Sequence, residues 1–183
     1  MIITLTGVPG GGKSTIAKRL KEKLGFPYQT MGSVRRKIAA SHGMDLLAYN
    51  RKFKDDPTSD YEMDEMQRKM GQEENDFIMD GRLSWHFIPD SFKVFLDVSL
   101  EEAARRIYQS SKSGGRNEEP EYANEEEVQK AVLARMTEDS DRYKKFYQVD
   151  YLDRSNYDLV VDTTGKTPEA ITQEILDTLP KNT

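Results

Sequence analysis

Eight residues near the N-terminus constrain the fold of this chain more than any other feature. Residues 7–14, with the sequence GVPGGGKS, match in full the pattern GxxxxGK followed by Ser or Thr. They lie between a short β-branched run at 2–6 and a stretch with helical spacing of its apolar residues. Glycines let backbone N–H groups point at phosphate oxygens, and the following helix adds the positive end of its dipole. The sequence therefore predicts a strand, a phosphate-binding loop and a helix.

Two side chains at the end of this loop suit a nucleotide and its metal ion. Lys13 is expected to bridge the β and γ phosphates, and the hydroxyl of Ser14 to ligate the Mg²⁺ that shares them. The tetrapeptide Asn-Lys-x-Asp, which normally specifies guanine in GTPases, does not occur in the sequence. We therefore expect ATP as the nucleotide, with Mg²⁺ as its cofactor.

The remaining apolar runs predict an α/β fold. Residues 77–79, 94–96 and 159–161 are short apolar runs, each followed directly by an aspartate, and runs of this kind suit buried strands. Helical segments at about 99–112 and 167–179 alternate with them, as in a parallel sheet. We predict one P-loop domain over 1–183, a five-stranded parallel sheet flanked by helices, in which these three runs and the run at 2–6 supply four of the strands. Its core covers about 1–30, 76–110 and 150–183.

Two segments between the strands are predicted to form a flap and a lid. Helices rich in charged residues are predicted at 33–53 and 58–75, with a break near Asp56-Pro57. They would form a flap over about 31–75 that covers the substrate accepting the phosphate, called the acceptor below. The polar segment 110–124 is predicted to be a lid over the nucleotide, and the alternative is a plain solvated connector. Lid and lid helix together would cover about 110–150.

Composition excludes several classes of function. The net charge is -5, from 27 Lys and Arg against 32 Asp and Glu, so we expect no nucleic-acid partner. The absence of cysteine removes thiol catalysis and suits a reducing compartment. No export signal and no apolar run long enough for a bilayer are apparent, so we expect no membrane partner. We expect the protein to be cytoplasmic and monomeric.

Two aspartates at predicted strand ends are candidate Mg²⁺ ligands acting through water. Asp80 follows the run 77–79, and Asp97 follows the run 94–96. We prefer Asp80 because Gly81 and Arg82 follow it directly and would bring a cation to the acceptor phosphate. Either aspartate could instead cap a helix.

The segment 80–85, Asp-Gly-Arg-Leu-Ser-Trp, resembles the short cytidylate kinases, in which a D/E-G-R segment holds the monophosphate. The resemblance spans nearly the whole chain and includes 32–36, 93–96 and 162–164. It implies transfer of the γ-phosphate of ATP to CMP or dCMP. The alternatives are a kinase for UMP, AMP or a small hydroxylated metabolite, and an ATP-dependent regulatory module without transfer.

The most specific part of this resemblance is Arg135, with Asp139 and Arg142 four and seven residues later. These offsets put the three side chains on one face of a helix. In the resembling family such a helix contacts the nucleotide, and this implies that the arginines meet phosphate while the aspartate reads the cytosine edge or the sugar. The alternative is a ladder of salt bridges within the helix.

The resemblance and the loop together imply a set of site residues. The expected catalytic residues are Lys13, Arg82, Arg135 and Arg142. The expected ATP-binding residues are Gly7, Val8, Pro9, Gly10, Gly11, Gly12, Lys13, Ser14, Thr15, Arg105 and Arg106. The expected acceptor-binding residues are Ser33, Arg36, Asp60, Asp80, Gly81, Arg82, Arg135, Asp139 and Arg142. Ser14 and Asp80 are the expected Mg²⁺ site. Ser33 and Ala103 depart from the family pattern, which commonly has an acidic residue and an arginine at these positions.

Overall fold

Five strands form one parallel sheet in the order β2-β3-β1-β4-β5 in a computed structural model that describes residues 1–53, 58–112 and 122–180. Within it, β2 and β1 both pair with β3 in parallel, and β4 pairs with β5 in parallel. The strands are β1 (Ile2–Gly7), β2 (Tyr28–Thr30), β3 (Phe77–Asp80), β4 (Phe92–Asp97) and β5 (Leu159–Asp162). The predicted fold class is confirmed.

Helices alternate with these strands along the chain. They are α1 (Lys13–Leu24), α2 (Met31–Ser41), α3 (Leu46–Lys52), α4 (Thr58–Glu73), α5 (Ser84–Phe87), α6 (Leu100–Lys112), α7 (Glu125–Tyr147) and α8 (Pro168–Thr178), with a 3₁₀ turn at Arg154–Asn156. None of the helices in the described part of the chain is long and apolar enough to cross a membrane.

The segment predicted as one helix over 33–53 is two helices in the structure. Gly43 has a φ of +67°, in the left-handed region that ends helices, and α2 stops before it. Asp45 then caps α3 by accepting a 2.7 Å hydrogen bond from the backbone N–H of Ala48. The break expected at Asp56-Pro57 lies outside the described residues.

Contacts divide the chain into two compact units. One comprises Met1–Thr6 and Ala17–Lys93, and the other comprises Gly7–Ile16 and Val94–Thr183. In the first unit α2, α3 and α4 pack on an apolar cluster that includes Val34, Tyr49 and Met70. The second unit has its own cluster under α6 and α7. The expectation of one domain stays a prediction.

The predicted lid over 110–124 is described only at its two ends. Residues 110–112 complete α6, and Asn124 caps α7 by accepting a 3.0 Å hydrogen bond from the backbone N–H of Glu127. Residues 113–121, which carry most of that prediction, lie outside the described part of the chain. The choice between a lid and a connector therefore stays open.

Candidate functional site

The glycine loop leaves β1 in a tightly held conformation within its unit. Val8 donates its backbone N–H to the carbonyl oxygen of Leu96 at 3.2 Å, and Gly11 donates to Val8 at 3.0 Å. Gly7 has a φ of +148°, and a Cβ placed on it would lie 2.2 Å from the Leu96 oxygen. Only glycine allows this approach of the loop to β4, so the conformation follows directly from the sequence.

Lys13 follows this loop directly and is the first residue of α1. Its Nζ donates to the carbonyl oxygens of Gly7 at 3.0 Å and Val8 at 3.3 Å. The first turn of α1 contains no acidic side chain that would offset the positive end of the helix dipole. An ammonium group and a helix N-terminus therefore face the same loop, which is the arrangement that binds phosphate.

The two adjacent arginines predicted to bind ATP occupy different environments. Arg106 donates from Nη1 to the Gly10 carbonyl at 3.3 Å and from Nη2 to the Thr163 carbonyl at 2.7 Å, so it joins the loop to the end of β5. Arg105 is half-exposed and forms a bidentate pair with Glu102 at 2.8 and 2.7 Å. Hydrogen bonds from Arg105 and then Arg106 lower the pKa of Glu102 to about 2. Sequence reasoning missed Glu102 as the anchor of both arginines.

Ala103 packs directly against the loop. It is fully buried, and a Cβ added to Gly10 would lie 2.9 Å from the Ala103 Cα and carbonyl oxygen. The family pattern commonly has an arginine at this position. In this chain the small side chain of Ala103 is part of a close contact between α6 and the loop.

Asp97, the alternative metal ligand, is held by an arginine within its own unit. Arg154 donates to one Asp97 carboxylate oxygen from Nε at 3.1 Å and from Nη2 at 2.8 Å. The guanidinium also lies 3.9 Å from the centroid of the Phe95 ring. This carboxylate therefore has a cationic partner in its own unit. The role of Asp97 or Asp80 as a metal ligand stays a prediction. Nothing in the sequence pattern pointed to Arg154.

Asp80 lies at the carboxyl ends of three adjacent strands, where ligands of α/β proteins usually bind. It is in register with Leu5 of β1 and with Thr30 of β2. The hydroxyl of Tyr28 donates to Asp80 Oδ2 at 3.0 Å and orients the carboxylate. Tyr28 was not predicted, because the short polar strand β2 gave no apolar pattern.

The predicted residues of the flap have different surroundings. Ser33 and Thr30 form a reciprocal cap of α2, with hydrogen bonds of 2.7 and 3.0 Å between each backbone N–H and the other side chain. Arg36 on α2 and Asp60 in the first turn of α4 are exposed. Ser33 thus has a structural task at the position where the family commonly has an acid.

The three predicted residues of α7 lie on one helix face, as their spacing required. Arg142 donates to Asp139 at 2.9 Å and its guanidinium lies 5.0 Å from the Tyr143 ring centroid. The Asp139 side chain is only 9% exposed, whereas Arg135 is exposed. The salt-bridge alternative is therefore realised for one pair of the three residues. Their part in nucleotide binding stays a prediction.

A Mg²⁺ ion fits the chemistry of the donors without a protein cage. The described residues hold no group of three or more His, Cys, Asp or Glu side chains placed to bind a metal. Mg²⁺ in phosphate-transfer sites usually takes one or two protein ligands and completes its shell with phosphate oxygens and water. The Ser14 hydroxyl and the Asp80 carboxylate are ligand types of this kind, and their binding of Mg²⁺ stays a prediction.

The parallel sheet, the glycine loop and the lysine at its end define a P-loop nucleotide-binding fold. The fold is similar to that of shikimate kinase from Bacteroides thetaiotaomicron, with a TM-score of 0.62, 13% identity and 97% of each chain covered. The chain belongs to the cytidylate kinase-like family, whose model matches residues 2–165. This membership places it among the nucleoside monophosphate kinases.

Two curated relatives illustrate this membership. A cytidylate kinase from Methanocella arvoryzae is 35% identical, and the match covers 99% of both chains. An S-adenosylmethionine-dependent nucleotide dehydratase from Lacinutrix mariniflava is 33% identical over 98% of this chain, but the match covers only 36% of that protein. The sequence-based resemblance to cytidylate kinases is confirmed.

Proposed function

We propose that this protein transfers the γ-phosphate of Mg-ATP to CMP or dCMP. The observation that carries the proposal is the 35% identity to a cytidylate kinase over 99% of both chains. An intact phosphate loop at one strand end and the Asp80-Gly-Arg segment at another support it. A dehydratase activity is not proposed, because the dehydratase matches over only 36% of its length.

The transfer exchanges one phosphorus–oxygen bond for another. A phosphate oxygen of the acceptor attacks the γ-phosphorus, the new bond to that oxygen forms, and the bond to the β–γ bridging oxygen breaks as ADP leaves. The attacking oxygen is already anionic at neutral pH, so no strong general base is needed. The protein's contribution is placement of the two substrates and compensation of negative charge.

Specific residues are proposed for these two tasks. Lys13 orients the β and γ phosphates of ATP, and Arg36 and Arg82 grip the phosphate of the acceptor. One of four arginines closes on the moving phosphoryl group: Arg105, Arg106, Arg135 or Arg142. Of these, Arg106 already contacts the loop. Bound Mg²⁺ would supply a Lewis acid on the ATP phosphates. Ser14 and Asp80 would hold that ion, with Asp80 acting through water.

The test is a parallel measurement of ADP release with Mg-ATP and each of CMP, dCMP, UMP, AMP and GMP, beside a control without acceptor. Strong stimulation by CMP or dCMP supports the proposal. Stimulation by UMP or AMP alone would support a nucleoside monophosphate kinase but would refute cytosine as the base of the acceptor. ATP binding without stimulation by any acceptor would favour the regulatory module.

Paired variants of the flap test the acceptor side. Arg36→Ala should lower kcat/KM for CMP about tenfold or more, since a charge-assisted contact to phosphate is lost. Arg35→Ala, one residue earlier on α2, is the matched control and should retain wild-type kcat/KM. Equal losses in the two variants would remove Arg36 from the acceptor site. The cytoplasmic location and monomeric state remain expectations.

A further inference from the structure

The proposed clamp Arg82 lies in a short segment, residues 81–83, that connects β3 to α5. This segment belongs to neither element, so its backbone lacks the regular run of hydrogen bonds that fixes a strand or a helix. An arginine side chain has many rotamers, and its guanidinium lies far from its own Cα. Arg82 is half-buried, and the position of its guanidinium depends in part on how firmly the backbone beneath it is held.

Two buried side chains donate hydrogen bonds to the carbonyl groups of this segment. The hydroxyl of Thr6 donates to the Gly81 oxygen at 3.0 Å and lies 3.5 Å from the Arg82 oxygen. The indole Nε1–H of Trp85 donates to the Arg82 oxygen at 3.1 Å. Thr6 is fully buried and Trp85 is 7% exposed, so water competes little for these bonds.

The backbone around Gly81 is fixed from two other directions. Its N–H donates to the Leu5 oxygen at 3.3 Å, which continues the pairing of β3 with β1. A Cβ on Gly81 would lie 2.2 Å from Ser84 Oγ, and this hydroxyl donates to Gln67 Oε1 at 2.7 Å. The segment thus has little freedom, and its carbonyl groups point at the two donors.

We infer that Thr6 and Trp85 are positioning residues that hold the backbone of Arg82 so that its guanidinium meets the acceptor phosphate. The inference rests on the proposed function, because it assumes the clamp role of Arg82. Misplacement of a reacting group by about 1 Å can cost about a hundredfold in rate. Loss of one of the two donors should therefore affect transfer more than it affects folding.

The chain provides a control for the simpler explanation that Thr6 only satisfies a buried hydroxyl. Thr4 lies two residues earlier and hence on the same face of β1. It is equally buried, and its hydroxyl shares a 2.9 Å hydrogen bond with Ser91 Oγ. Thr4→Val and Thr6→Val each remove a buried hydroxyl from the same strand, but only Thr6 contacts the Arg82 segment.

The experiment compares Thr6→Val, Thr6→Ser and Thr4→Val in two backgrounds, wild type and Arg82→Ala, with CMP or the best acceptor of the panel. In the wild-type background Thr6→Val should lower kcat about tenfold, the effect of one lost buried hydrogen bond, and leave the KM for ATP unchanged. Thr6→Ser should restore most of this loss. Thr4→Val should have a similar melting temperature to Thr6→Val and keep its kcat within about twofold of wild type.

The Arg82→Ala background identifies the route of the effect. If Thr6 acts through Arg82, Thr6→Val causes no further loss of kcat there, whereas independent effects multiply. A full further tenfold loss in that background would overturn the inference. If Thr6→Val does not fold, Trp85→Phe removes the second donor and is judged by the same comparison.

Failure of the proposed function has a different signature. Near-normal kcat/KM in Arg82→Ala itself would show that Arg82 is no clamp, whatever Thr6 does. Absence of transfer to every monophosphate by the wild-type protein would overturn both statements. A third outcome is that Arg82→Ala is defective and Thr6→Val lowers kcat by the same factor in both backgrounds. This outcome would overturn only the positioning of Arg82 by Thr6.

Discussion

Gly10 and Gly12 of the phosphate loop provide a test of how the second unit is packed. Both have positive φ, +86° and +89°, so an alanine at either position is strained. A Cβ on Gly10 would also lie 2.9 Å from two backbone atoms of Ala103, whereas a Cβ on Gly12 would meet nothing within 4 Å. Both substitutions therefore strain the backbone, and only Gly10→Ala also causes a steric clash.

The sizes of the two costs can be worked out separately. A non-glycine residue in the left-handed region costs about 1–2 kcal/mol, and overpacking against atoms that cannot move adds about 1–3 kcal/mol. Gly12→Ala should therefore destabilise by about 1.5 kcal/mol and Gly10→Ala by about 3.5 kcal/mol. At about 2–4 °C per kcal/mol for a chain of this size, the melting temperature falls by about 5 °C and about 10 °C respectively.

The assay is thermal unfolding followed by circular dichroism without nucleotide, at equal protein concentration. The far-ultraviolet spectrum before heating checks that each variant is folded. A larger fall for Gly10→Ala than for Gly12→Ala is the expected result. Equal falls would mean that the loop moves away from α6 without cost, and the packing argument for Ala103 would be refuted.

Three further substitutions test other parts of the account. Gly81→Ala forces a Cβ into Ser84 Oγ, so the melting temperature and the acceptor-stimulated rate should both fall while ATP affinity measured by calorimetry is kept. Glu102 has a folded pKa of about 2, below its ordinary value of 4.5, chiefly because Arg105 donates to it. Its stabilisation is present above pH 4.5 and is lost as pH falls toward about 2, so denaturant unfolding of Glu102→Gln should depend less on pH in that range than wild type does. Identical pH dependence would contradict this. Arg154→Met removes the cation from the carboxylate at the end of β4 and should lower stability by about 1 kcal/mol; an unchanged denaturation midpoint would argue against it.

Features encoded in short stretches of sequence could be predicted. Glycine spacing predicts the loop and the helix after it, and short apolar runs predict the strands β1, β3, β4 and β5. Each of these signals lies within the element that it predicts or next to it. The helix break at Gly43 was missed although its signal, a glycine followed by the capping Asp45, is present in the sequence. Attention to caps within long charged helices would have found it.

Features that depend on distant partners could not be predicted. Strand β2 has three half-buried residues, and its identity as a strand comes from pairing with β3 about fifty residues later. The contact of Thr6 with Gly81 joins residues 75 positions apart. The pairing of Arg154 with Asp97 spans 57 positions, so the cationic partner of this carboxylate could not be read from the sequence.

The central claim is tested most directly by following the phosphate itself. Protein in excess is mixed with ATP that carries a radioactive γ-phosphate, Mg²⁺ and CMP, and the products are separated after a single turnover. The account predicts that the label leaves ATP and appears in CDP in an amount equal to the ADP formed. Label that appears only in inorganic phosphate, with none in CDP, would contradict it.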